Sequence, residues 1–177
     1  MKAKLIVLAV LFAIVSCNSK PSLEKYIVDN SENKNFIQLD VTPNFLNIDK
    51  SKLTVEQVKA FNSFEKVNIL AFKINTQNQK EFEHEKEKVA TILKDEKYQQ
   101  LMKIGSGKDA MCVSFVGDDA HISEFVVFGT KIDAGFAVIR ILGKDMNPAA
   151  VMNFMDAIKN SNTSMEQFQP FLNQFKK

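Results

Sequence analysis

In 177 residues the chain has no tryptophan, one arginine, two histidines and two cysteines, against fifteen phenylalanines. So few histidines exclude most of the chemistry that depends on them. A zinc-peptidase helix needs His-Glu-x-x-His, and in "HEKEK" (84–88) Lys88 stands at the second histidine position. Acids alternating with lysines at helical spacing read there as a solvated face with weak ion pairs. His121 opens a strand beside Asp118 and Asp119, a trio that could ligate a metal, yet "GDDA" is ordinary turn chemistry and no metal is expected. "GSGKD" (105–109) is not a phosphate loop. Met102 stands where the first glycine belongs, and Asp109 where a Ser or Thr must reach Mg²⁺. No Gly-x-Ser-x-Gly elbow occurs either. Neither catalytic residues nor a cofactor are expected. Long apolar runs are equally scarce. The longest, "LIVLAVLFAIV" (5–15), rises about 16 Å as a helix. That is roughly half of a ~30 Å hydrocarbon core, too short for a permanent transmembrane anchor.

That run follows Met1-Lys2-Ala3-Lys4, so it has the charged and apolar regions of a secretory signal peptide. The residues after it, "Ile14-Val15-Ser16-Cys17", resemble the bacterial lipobox. The resemblance implies a diacylglyceryl group on the Cys17 sulfur, cleavage before Cys17 and acylation of the new amino group. Residues 1–16 are then a cleaved lipoprotein signal peptide, 17–21 a lipidated tether and 22–177 one domain. Acyl chains contribute about 0.8 kcal/mol per buried CH₂, and more than one makes anchoring stable. "NSKPSLE" (18–24) has neither Asp after the cysteine nor an acidic run, which points to an outer-membrane anchor facing the periplasm. Cleavage removes Lys2 and Lys4, leaving basic and acidic residues equal. No net field remains to attract nucleic acid or an anionic membrane surface. With Cys17 acylated, Cys112 has no disulfide partner.

Ser22 caps a short helix within 22–33, and "NFIQLDVTP" (35–43) alternates with the period of a strand. Thr54 followed by Gln57 is a capping-box pattern that opens a helix over 54–64. "VNILAFKI" (67–74) is a second strand. Residues 78–95 predict a charged helix with Phe82, Val89, Ile92 and Leu93 as its buried stripe, and 96–104 a further helical turn or two. Three strands follow as an antiparallel meander, 110–117, 121–129 and 135–143. Asn147 and Pro148 begin a helix over 147–160, and 164–175 is amphipathic, split by Pro170. The expected fold is α+β: a single, mainly antiparallel sheet of about five strands with helices on at least one face.

The run "HISEFVVFGTKIDAGFAVIRILGKDMNPAAVMNFM" (121–155) resembles an uncharacterised family of bacterial lipoproteins, domain of unknown function 4252. So do "FIQLDVTPNFL" and "YQQLMKIGSGKDAMCVSF". The resemblance implies an envelope lipoprotein with an antiparallel sheet and packed helices. It implies no reaction, ligand or catalytic residue.

A loop centred near Ile132 sets Glu124 opposite Arg140, Phe128 opposite Phe136 and Val126 opposite Val138. This register adds Met111, Val113, Phe115, Ile122 and Leu142 to the same face. Cys112, Val116, Phe125, Val127, Ala137, Ile139 and Ile141 fall on the other. Both faces are apolar and both need cover. Within its strand Cys112 reads as a small buried hydrophobe. Glu124–Arg140 is either a cross-strand ion pair, worth under about 1 kcal/mol if exposed, or a charged hot spot in an apolar recognition surface. The expected function is therefore non-enzymatic, a lipid-anchored module that binds an envelope protein or scaffolds the envelope. The alternative is a binder of a hydrophobic small molecule or lipid in a Phe-lined space between sheet and helices. Below it stands a hydrolase assembled from dispersed acids and His121.

Overall fold

The structure, a computed structural model, describes residues 20–42, 51, 53–107, 109–118 and 121–149. The leader, Cys17 and the helices expected over 147–160 and 164–175 lie outside the described residues, apart from 147–149. The described elements are α1 (Leu23–Asp29), β1 (Phe36–Val41), α2 (Val55–Ser63), β2 (Phe64–Lys73), α3 (Gln79–Ile92), β3 (Gln99–Ser106), β4 (Asp109–Gly117), β5 (Ile122–Lys131) and β6 (Gly135–Met146).

Local chemistry sets the helix ends as expected. Ser22 Oγ accepts from the Lys25 amide at 3.2 Å to start α1. Asn30 ends it, its side chain donating to the Tyr26 carbonyl at 2.9 Å. At α2 the capping box is complete: Gln57 N–H to Thr54 Oγ1 at 3.2 Å and Thr54 N–H to Gln57 Oε1 at 2.9 Å. Asn78 precedes α3 but does not cap it with its side chain. Buried, that side chain donates to the Lys73 carbonyl and accepts from the Asn75 amide, closing the β2–α3 turn.

The strands form one antiparallel sheet in the order β1-β2-β6-β5-β4-β3. There are six, not about five. The additional strand is β3, where the sequence predicted a helical turn over 96–104. Residues 99–106 pair instead with β4, whose outer backbone groups need partners. The β3–β4 turn suits this, with Gly105 and Gly107 both at positive φ. β3 is an edge strand with only Met102 partly buried, so it lacks the apolar alternation that marks the inner strands.

Helices cover both faces of the sheet. α1 and α3 lie on one, packing Leu23, Ile27, Phe82 and Val89 against Leu70, Phe72, Val126, Phe136 and Val138. Phe72 and Phe136 stack at 5.5 Å between centroids, with Phe36 edge-on to both. α2 lies on the other face, where Ala60 and Phe61 join a cluster with Phe64, Phe115, Phe125, Ile141 and Met146.

Two registers differ from expectation. The β5–β6 pairing sets Glu124 opposite Leu142, Val126 opposite Arg140 and Phe128 opposite Val138. It is centred on Asp133 instead of Ile132, which shifts every partner by two and preserves the faces. The turn closes through Ala134 N–H to Lys131 O and through Gly135 at φ 122°. On β4 the shift is odd. Cys112, Ser114 and Val116 pair with Phe128, Val126 and Glu124 and share their face, so Met111, Val113 and Phe115 move to the α2 face. A ladder irregularity between Val116 and Gly117, with Gly117 at φ 122°, accounts for it. The matching irregularity in β5 sends Ile122 to the α2 face as well.

Candidate functional site

On the face under α1 and α3, one transverse row of the sheet is unusually polar. Register carries it from Asp40 through Asn68, Arg140, Val126 and Ser114 to Gln100. At its β1 end the Asn68 amide donates to Asp40 Oδ1 at 2.7 Å, and Lys66 lies 3.3 Å from Asp40 Oδ2. Partial burial alone would raise the Asp40 carboxyl. The Asn68 hydrogen bond and the Lys66 charge outweigh it and hold the group below its usual range.

Arg140 stands at the centre of the row. Its Nη2 donates to Glu124 Oε2 at 3.0 Å, and Tyr98 Oη donates to Glu124 Oε1 at 3.4 Å. The side chains of Arg140 and Glu124 are only 13% and 9% exposed, so this is a largely desolvated pair. Burial, and then the Glu124 charge, push the Tyr98 phenol well above its ordinary value, with Arg140 opposing. Tyr98 therefore serves Glu124 as a firmly protonated donor. The Arg140 Nε is buried with no hydrogen-bond partner among the described residues. A parallel arrangement binds the helices, where Tyr26 Oη donates to the buried Glu85 at 3.0 Å and Lys88 pairs with the same carboxylate.

The six residues read from the sequence as one surface do share a face. Glu124 meets Arg140 on the diagonal, and Phe128 packs edge-on to Phe136 at 5.9 Å between centroids. Val126 and Val138 are fully buried, and Phe136 nearly so. The apolar four lie beneath α1 and α3 as core, and the Glu124–Arg140 pair, read from the sequence as either a cross-strand ion pair or a charged hot spot in a recognition surface, is itself largely buried. His121 and Asp118 form an exposed pair at 3.2 Å in the β4–β5 turn, outside the row. Among the described residues no three His, Cys, Asp or Glu side chains are placed to hold a metal ion, and no helix is long and apolar enough to cross a membrane.

What remains accessible on this face is a groove. α3 packs over β2, β6 and β5 and leaves about 620 Å³ between its outer side and the strands β3–β5. Ala90 and Leu93 line it from the helix, and Phe128, Cys112 and Ser114 from the sheet, with the Tyr98 ring at one end. Cys112, half-buried, is part of this floor and not of a sealed core. Its Sγ lies 3.6 Å from Gln100 Oε1 and 3.8 Å from Ser114 Oγ. Lys86, Lys94 and Lys103 with Glu83 and Glu87 form the rim. The sequence did not point to Tyr98, Gln100 or Ser114. The first two fell in the stretch read as helical, and the third was on a strand whose faces were exchanged. The one available signal was the odd polar residue, Ser114, within the apolar run 110–117.

A second cleft of similar volume lies between α1 and α3. Of the charged side chains that line it, Lys25 pairs with Asp29 and Lys88 with Glu85, while Glu87 and His84 stand beside them.

No match was found among curated proteins or among solved structures. Against family models, residues 26–176 match the domain of unknown function DUF4252. That span takes in every strand and all three helices described above except the first turn of α1. By this match over most of its length, the chain belongs to the DUF4252 family.

Proposed function

We propose that this chain is a lipid-anchored, non-enzymatic protein of the bacterial outer membrane, facing the periplasm, that holds a hydrophobic small molecule between its sheet and α3. The groove carries this reading. Its volume, about 620 Å³, lies inside the roughly 300–1,000 Å³ typical of small-molecule sites. Its lining is apolar along Ala90, Leu93 and Phe128, with Gln100, Ser114 and Thr130 as polar groups on the sheet side and charged side chains around the rim. Anchoring through acylated Cys17 would keep such a site beside a membrane, where hydrophobic molecules are abundant. Mass spectrometry of the gently extracted protein tests it. A hydrophobic small molecule released from wild type and absent from a groove-filling Ala90→Phe variant is the expected result. Wild type with nothing bound, and unaffected by added amphiphiles, would overturn it.

A second reading, docking of an envelope protein, is favoured by β3. It is a sheet edge among the described residues and carries exposed Leu101 and Ile104. Crosslinking in intact cells, with identification of the captured chain and its crosslinked residues, separates the two.

A further inference from the structure

The charges around the groove narrow the class of molecule it takes. Lys86 is tied to Glu83 and lies over the Phe82 ring, 5.1 Å from its centroid. Lys94, just beyond α3, and Lys103, on β3, have no acidic partner among the described residues. They approach the groove from opposite walls. Next to the Lys103–Cys112 pair the floor is polar: Gln100 and Ser114 are cross-strand partners there, and Ser114 is almost fully buried. Among the described residues Glu87 is the one rim acid without a lysine partner. It lies seven residues before Lys94, about 10 Å back along the helix. The groove thus has Lys94, Tyr98, Gln100 and Ser114 toward one end, Lys103 abreast of Cys112, and an apolar stretch over Ala90 and Phe128.

From this polarity we infer that the occupant is a single-chain amphiphile with a carboxylate head, a long-chain fatty acid or a close relative. Its head lies between Lys94 and Lys103 with Gln100 and Ser114 beneath it, and its chain runs along Phe128 and Ala90. Charge complementarity selects an anion at this end, and the limited volume suits one acyl chain better than two. The inference rests on the groove being a ligand site, as proposed above.

Cys112 provides the measurement, because its half-buried thiol sits in the floor of the same groove. Alkylation of the folded full-length protein, located by peptide mass, is followed with hexadecanoate and with hexadecanol as competing probes. Hexadecanoate slows alkylation at Cys112, and hexadecanol needs about tenfold more for the same protection, the ratio expected for two favourable but solvent-exposed ion pairs. Lys94→Glu with Lys103→Glu abolishes that preference. Both lysines are exposed and unpaired with acids, so this variant keeps the wild-type melting temperature. Should the reversal perturb the fold, Lys94→Gln with Lys103→Gln removes the same preference without adding acids. If hexadecanoate protects the charge variants as well as wild type, or the alcohol protects wild type equally, the carboxylate assignment is wrong and the groove reading stands. If neither probe protects wild type, the groove is not a ligand site and both fall.

Discussion

Arg140→Met is the perturbation that most directly tests the buried polar row. Arg140 is 13% exposed and Glu124 9%, so removing the guanidinium leaves a carboxylate away from water with Tyr98, at 3.4 Å, as its remaining donor. Breaking one side of a buried ion pair costs about 3–5 kcal/mol. The Tyr98 hydrogen bond survives, and the row has some solvent access, so the lower end applies, about 3 kcal/mol. For a domain of this size each kcal/mol moves the melting temperature by about 2–4 °C, giving a loss of roughly 6–12 °C. The reverse change, Glu124→Gln, strands the guanidinium, whose Nε already lacks a partner among the described residues. The combined variant should recover. A neutral, well-packed replacement for a buried pair is often neutral or stabilising, and Met also removes the orphaned Nε, itself worth about 1–3 kcal/mol. Urea unfolding of wild type, both single variants and the double closes the cycle. A loss below about 1 kcal/mol for Arg140→Met, or a double variant no more stable than the worse single, would refute the view that the pair is desolvated and mutually dependent.

Both tyrosines of the chain are buried donors to carboxylates, Tyr26 to Glu85 and Tyr98 to Glu124. Burial and those charges raise both phenols in the folded state. Their contribution is therefore complete below the unfolded value near pH 10 and declines as pH rises beyond it, by about 1.4 kcal/mol per tyrosine per unit. Absorbance titration should show phenolate appearing together with unfolding, and half-ionisation of either tyrosine near pH 10 in intact protein would contradict this. Gly135→Ala should destabilise by at least about 2 kcal/mol, because φ is 122° and a Cβ would stand 1.8 Å from the Phe72 carbonyl oxygen. Gly129→Ala should be neutral or gain up to about 1 kcal/mol, since its backbone is extended and a Cβ meets nothing within 4 Å. Thermal melts of the two variants check the contrast. Mass analysis of the N-terminal peptide from cells should find diacylglyceryl and acyl groups on Cys17, and an unmodified Cys17 would remove the lipid anchor from the proposal.

Sequence reading succeeded where one residue's chemistry or a local period decides structure. Ser22 and the Thr54–Gln57 box each need only three neighbouring residues, and the meander shows period two over three successive runs. The grouping of Glu124, Val126 and Phe128 with Phe136, Val138 and Arg140 also held, because a two-residue shift leaves the faces of a strand unchanged. The β4 faces were lost to a single ladder irregularity at Gly117, a matter of turn conformation that leaves no periodic trace. β3 was lost because an edge strand exposed on both sides is under no pressure to alternate, while Leu101 and Ile104 happen to stand at helical spacing. The burial of Arg140 and the existence of the groove share a deeper reason. The pattern of α3 shows that Phe82, Val89 and Ile92 face a core, but not which strands they cross. Because they settle over β2, β6 and β5, Tyr98 is delivered onto Glu124 and the ion pair is enclosed. The same placement leaves β4 and β3 beyond the helix, with Ser114 and Cys112 as a floor. One packing choice, made by contacts that range from Phe72–Phe82 to Phe82–Phe136 in sequence separation, turns a pair that reads as surface into core and opens the site beside it.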